Sequence, residues 1–187
     1  MSERSSDRSY DPTTIALHWA TAILVIALWG IGQTADWLPD GPANTYYWSV
    51  HVVLGFALAG VLSWRIAWRG SRGRHLPPAD RGALQVFAKA THYSLYGLLL
   101  GAVTLGIINA FVRGYNLFDL VHLPQVGDLA WRKPITEWHG LAANILLGLA
   151  LFHAAAALVH QYVWQDGLLR RMLPSVGRAT EPGPTIP

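Results

Sequence analysis

Residues 135–164 read ITEWHGLAANILLGLALFHAAAALVHQYVW. Between Glu137 and Asp166 lie 28 residues without Asp, Glu, Lys or Arg, and about 20 apolar residues are enough to span a hydrocarbon core. The stretch nevertheless carries His139, His153 and His160. Fourteen residues of α-helix return to within about 40° of the starting face and rise about 21 Å, so His139 and His153 share a face at two depths.

Three other charge-free runs precede it. Asp11 and Asp36 bracket 24 residues, Asp40 and Arg65 another 24, and Lys89 and Arg113 23. The 187-residue chain is 52% hydrophobic and only 13% charged, with nine tryptophans; a water-soluble domain carries about 25% charged residues. Four such runs would leave too little polar surface to dissolve the chain. The pattern predicts an all-α, four-helix transmembrane bundle with helices near 13–34, 46–68, 88–112 and 135–164. Together they form one membrane domain over 13–164, preceded by an N-terminal segment 1–12 and followed by a tail 165–187. The first run is too long for a cleavable signal core and is followed by three more spans. The 113–136 connection has room for a short surface helix carrying Trp131. The end of the tail, GRATEPGPTIP, is rich in Pro and Gly and is expected to be disordered. No soluble domain or sequence repeat is evident.

The net charge of +3 is segregated rather than spread as a nucleic-acid patch. Arg4 and Arg8, then Arg65, Arg69, Arg72, Arg74, Arg81 and Lys89, then Arg170, Arg171 and Arg178 fall on one side of the predicted membrane, leaving Arg113, Arg132 and Lys133 on the other. Basic loops stay in the cytoplasm, so both termini and the middle connection are expected inside. No nucleic-acid partner is expected. Tryptophans cluster near span ends, as interfacial anchors do, and small residues such as Gly97 and Gly101, or Gly55 and Ala59, suit close helix packing. The absence of cysteine excludes disulfides, iron–sulfur clusters and thiolate ligation.

Six of the eight histidines lie within predicted spans: His18, His51, His92, His139, His153 and His160. His75 and His122 fall in connections and read as solvated residues. Ionisable side chains in a bilayer are costly and mark function, whereas neutral imidazole ligates a metal without adding charge. The separation of His139 and His153 is too great for a single ion and unlike a zinc His-x3–5-His spacing. It suits two planar cofactors stacked across the membrane, each iron held by two histidines as in closed electron-transfer haems. Matching depth pairs His139 with His51 at the outer level. At the inner level His153 pairs with His18, with His92 competing, and depth alone leaves pairs of His160 with His18 or His92 open.

These same pieces carry a resemblance. ALHW with His18, VHVVLG with His51, ATHYSLY with His92, the histidine-bearing last helix and LLRRMLP after it resemble the bacterial cytochrome b561 family of small four-helix di-haem membrane cytochromes. The resemblance covers nearly the whole chain, and its last helix is similar to the subgroup of superoxide:ubiquinone oxidoreductases of the bacterial inner membrane. It implies two haems b, the outer between His51 and His139 and the inner between His18 and His153. His92 and His160 match further family histidines; they read as neighbours of the inner haem, near quinone or propionates, or as structural hydrogen-bonders. The implied activity is oxidation of superoxide at the periplasmic side with ubiquinone as acceptor. Arg132 and Lys133, just before the last helix, would then steer the anion, unless they merely anchor the chain at lipid headgroups. The alternative is an anchor subunit passing electrons between a dehydrogenase or hydrogenase partner and the quinone pool.

Overall fold

The computed structural model describes residues 9–78 and 81–173. The expectations placed on 1–8 and on the tail from 174, including Arg4, Arg8, Arg178 and the expected disorder, lie outside the described residues. Four long helices run α1 (Pro12–Thr34), α2 (Pro42–Ser71), α3 (Ala83–Arg113) and α4 (Arg132–Tyr162). All four are long and apolar enough to cross a membrane. They run up and down, so one end of the bundle carries the 72–82 connection and the described ends of the chain (the terminal end), and the other carries 35–41 and 114–131 (the loop end).

Polar punctuation sets the helix limits. Asp11 caps α1: its carboxylate accepts from Thr14 N at 2.9 Å and Thr14 Oγ1 at 2.6 Å, and Pro12 occupies the first helical turn, where its missing N–H costs nothing. The same carboxylate accepts from Trp68 Nε1 at 3.0 Å and Arg74 N at 3.1 Å, tying the start of α1 to the end of α2. Burial acts to raise the Asp11 carboxyl, but these donors outweigh it and hold the group well below the usual carboxylate range. Gly41, at φ 150, leads into Pro42 and begins α2 before residue 46. α3 likewise starts before residue 88 and stops at Gly114, which is left-handed and donates back to Ala110 O and Phe111 O. These helices outrun their sequence-based limits because hydropathy marks only the part in hydrocarbon, while the helical hydrogen-bond ladder continues into polar turns.

α4 departs in the other direction as well, beginning before residue 135 and ending before Trp164. Trp164 N bonds back to Val159 O at 3.1 Å and Gln165 turns left-handed at φ 54, which closes the helix. The chain then forms a 3-10 turn, Leu168–Met172. This turn folds onto the terminal end through Tyr10 N to Arg171 O at 3.0 Å and Trp19 Nε1 to Met172 O at 2.8 Å.

The 113–136 connection holds a hairpin the sequence did not suggest, with β1 (Asn116–Leu117) antiparallel to β2 (Val121–His122). Phe118 and Asp119, at φ 54 and 57, form its tight turn. Phe118 N donates to Ser49 Oγ at 3.0 Å, and Ser49 is fully buried on α2, so the hairpin is pinned over the loop end. The expected surface helix is a single 3-10 turn, Leu129–Trp131, capped by Asp128.

Helix packing divides the bundle into two hairpins, α1 against α2 and α3 against α4. Their shared core is leucine: Leu28, Leu58, Leu62, Leu99 and Leu146.

Candidate functional site

The chemistry-bearing residues fall on two levels, and the same fourteen-residue step connects the levels on every helix. α4 carries His139 and His153, and α2 carries His51 and Arg65. α1 carries His18 and Gly32, and α3 carries His92 and Gly106. Fourteen residues keep one face and rise about 21 Å, so Gly32, His51, Gly106 and His139 share the loop-end level. His18, Arg65, His92 and His153 share the terminal-end level. Seven residues from either level stand Leu58, Leu99 and Leu146, all nearly inaccessible to solvent. The core leucines therefore form an apolar layer midway between the two levels, at the floor of the loop-end cavity.

At the loop-end level the His51 and His139 rings face each other with centroids 6.1 Å apart and planes at 83°. Each approaches a glycine on a neighbouring helix. A Cβ on Gly106 would lie 3.0 Å from His139 Cε1, and one on Gly32 would lie 3.7 Å from His51 Cε1. The close approach at Gly106 lets the His139 ring reach the carbonyl one turn earlier on α3. His139 Nδ1 donates to Ala102 O at 2.9 Å, which places the proton on Nδ1 and leaves Nε2 as the lone-pair nitrogen. The buried His51 Nδ1 has no hydrogen-bond partner among the described residues. A cavity of about 470 Å³ opens between the helices here, lined by both histidines and both glycines, with Asp36 and Arg113 toward its rim.

At the terminal-end level His153 has two imidazole neighbours. The centroid of His18 is 6.4 Å away at an interplanar angle of 73°, and that of His92 is 5.2 Å away at 67°. Arg65 Nη2 lies 3.0 Å from His18 Nδ1, and its guanidinium sits 5.2 Å from the centre of the Tyr96 ring.

A metal between two imidazoles needs about 2.0 Å to each nitrogen and about 1.1 Å from nitrogen to ring centre, hence centroids about 6.2 Å apart. The His51–His139 and His18–His153 separations fit that requirement; the His92–His153 separation falls short of it by about 1 Å. Among the described residues no three His, Asp or Glu side chains gather into a metal site. A metal held by either imidazole pair must therefore take its remaining ligands from a non-protein group, as an iron porphyrin provides.

The other expected residues are placed differently. His160 is buried at the end of α4, where Nδ1 bonds Asp166 Oδ2 at 2.5 Å and the ring meets Trp164 edge-on at 4.4 Å. It sits in the turn that ends the helix, apart from the paired rings. Asp166 lies outside the spans; burial raises its carboxyl, but the His160 contact and the Leu168 amide outweigh this and lower it. His75 and His122 are exposed. Arg132 and Lys133 are exposed on the first turn of α4 and do not line the cavity. The cation that does is Arg113, bonded to Asn109 Oδ1 at 3.2 Å and Thr136 Oγ1 at 2.9 Å. Sequence reasoning counted Arg65 among the loop cations and did not single out Gly32 or Gly106; their fourteen-residue offsets from His51, His18 and His92 were the available signal.

Residues 9–175 match the family described as prokaryotic cytochrome b561. The chain belongs to that family. Its relatives cover almost their whole lengths in the comparison. A cytochrome b562 of Cereibacter sphaeroides is 33% identical over 182 residues, covering 90% of this chain and 98% of its own. A probable superoxide oxidase CybB of Yersinia pestis is 27% identical over 173 residues, 89% and 97% of the two chains. A cytochrome b561 homolog 1 of Escherichia coli K12 is 29% identical over 180 residues, 88% and 97%. The chain is thus a multi-pass membrane electron-transfer protein, and its family implies haem b.

Proposed function

We propose that this protein holds two haems b and carries electrons from superoxide, oxidised on the periplasmic side of the bacterial inner membrane, to ubiquinone. The observation that carries the reading is the pair of facing imidazoles at each of two levels, spaced for an axially ligated iron. His51 and His139 would hold the loop-end haem, and His18 and His153 the terminal-end haem. The loop end is periplasmic and the terminal end cytoplasmic, on the distribution of basic residues between the two ends.

When bound, haem supplies reversible one-electron transfer at each level. The remaining work belongs to the chain. Ala102 O holds the His139 proton on Nδ1, which fixes the ring's orientation and raises its basicity as a ligand. The leucine layer of Leu58, Leu99 and Leu146 keeps water from the space between levels. Arg113, at the rim of the loop-end cavity, attracts an anion to that level, and the exposed Arg132 and Lys133 add to the field. Two superoxide anions release one electron each and leave as dioxygen. Ubiquinone takes up those two electrons with two protons and becomes ubiquinol. His92 and His160, at the terminal end, are the nearest candidates to border the quinone; the Asp166 contact also gives His160 a purely structural role.

The superoxide substrate draws support from the similarity to the probable superoxide oxidase CybB of Yersinia pestis and from the cationic rim. The test is pulse radiolysis of the purified holoprotein. Superoxide should reduce the haems, more slowly as salt rises and more slowly when Arg113, Arg132 and Lys133 are neutralised. Two haems per chain with no reduction by superoxide would reject the substrate and leave an electron-transfer subunit for a dehydrogenase or hydrogenase.

A further inference from the structure

The two levels match in register but not in charge. At the loop-end level the helices without an axial histidine contribute Gly32 and Gly106. At the terminal-end level the helices outside the His18–His153 pair contribute Arg65 and His92. Arg65 occupies on α2 the position that His153 occupies on α4, fourteen residues beyond a loop-end histidine. A guanidinium cannot ligate iron and cannot lose its proton, so it brings a permanent positive charge to this level.

Arg65 is half-buried, and among the described residues no carboxylate pairs with it. Its polar contacts are His18 Nδ1 and the Tyr96 side chain. Charged groups in a membrane span are retained where they face an opposite charge or a functional cavity. The His18 contact cannot persist once that ring ligates a metal through Nε2. Nδ1 then carries the proton and donates, while guanidinium has only donors to offer. Tyr96 remains but carries no negative charge to balance the guanidinium, and the carboxylates of a haem b at this level are anions that a planar two-pronged donor fits.

We propose that Arg65 clamps a carboxylate of the terminal-end haem and makes that haem the better electron acceptor of the two, directing electrons from the loop end to the terminal end. This rests on the di-haem reading. A nearby positive charge favours the reduced state. A unit charge about 12 Å away at an effective dielectric constant of about 20 changes a one-electron equilibrium roughly tenfold. Arg113 does not cancel the asymmetry, because it is exposed to screening and shares its cavity with Asp36.

Redox titration of the purified holoprotein tests this, with the two haem signals assigned by their loss in H51A and H153A. In R65Q the reduction equilibrium of the terminal-end haem should fall about tenfold, or about 59 mV for one electron, while the loop-end haem shifts less than about twofold. R65K, which keeps the charge but loses the fork, should recover most of the potential. R65Q with both haems and an unshifted terminal-end signal overturns the proposal, as does R65K shifted as far as R65Q or an equal shift of both haems. Should R65Q lose the haem, R65K decides: both haems near the parental potential supports the clamp, and loss of the same haem refutes it. Fewer than two haems in the parent protein would remove the di-haem reading itself; with two, the outcome bears on Arg65 alone.

Discussion

Replacing Gly106 by alanine separates ligation from folding, because the two respond with opposite signs. The added Cβ would lie 3.0 Å from His139 Cε1 and 3.3 Å from Nδ1, whereas carbon atoms pack comfortably at about 3.5–4.0 Å. The ring must withdraw by about 0.5–1 Å, and the 2.9 Å bond from Nδ1 to Ala102 O then stretches beyond hydrogen-bonding range. Loss of such an orienting bond lowers metal affinity about 10- to 100-fold, or about 1.4–2.7 kcal/mol. Gly to Ala within a helix meanwhile favours the helix by about 0.8–1 kcal/mol. G106A should therefore keep or raise its helicity by circular dichroism while its loop-end haem becomes easier to remove in competition with apomyoglobin. Gly60, where a Cβ meets nothing within 4 Å, supplies the control, and G60A should retain both haems. G106A with parental haem retention at both levels would mean that the ring does not need its close approach to α3.

Other expectations follow from the same geometry. H139A should remove the loop-end haem and spare the terminal-end one, H153A the reverse, and H92A should retain both; pyridine haemochrome stoichiometry reads all three, and loss of a haem in H92A would transfer ligation from His18 to His92. D11A removes the α1 cap, costing about 0.5–2 kcal/mol, and leaves Trp68 Nε1 and Arg74 N without that acceptor; a thermal midpoint equal to the parent would show that the clasp adds nothing. Because the folded Asp11 carboxyl is lowered, its contribution is present above the ordinary Asp value near 3.9 and is lost as pH falls through the folded value. The stability gap between parent and D11N should accordingly narrow below about pH 4 and stay constant above it, and a gap that widens on acidification would reverse the sign.

The fold was legible because bilayer crossing is a one-dimensional property. Length and the absence of charge identify a span whatever its neighbours do, so the four helices could be read from the sequence. The paired histidines were legible for a related reason: a fixed rise per residue converts position into depth, and depth alone matches His51 to His139. Depth does not give lateral distance, so it leaves His18 and His92 level with each other; their ring centres lie 6.4 and 5.2 Å from that of His153. The connections were poorly legible. The hairpin at residues 116–122 has two-residue strands and a turn built on Phe118 and Asp119 rather than Asn-Gly, and its anchor is the buried Ser49 hydroxyl on a distant helix.

What the sequence concealed most is the part of the site made by residues that ligate nothing. Gly32 and Gly106 do not stand out in the sequence, and Arg65 reads there as a loop cation, because each is ordinary in its own helix. Their meaning lies in register. Once His139 and His153 set a fourteen-residue step, the same step from His18, His51 and His92 lands on a glycine, an arginine and a glycine, and the halfway points on α2, α3 and α4 land on buried leucines. The bundle thus repeats one axial measure on four helices and varies what stands at each mark. On the proposed di-haem reading, imidazole holds, glycine makes room, leucine insulates and guanidinium supplies charge. Two chemically identical cofactors placed at these levels would occupy unlike electrostatic surroundings, and that difference, rather than any difference in their axial ligands, would give electron flow its direction.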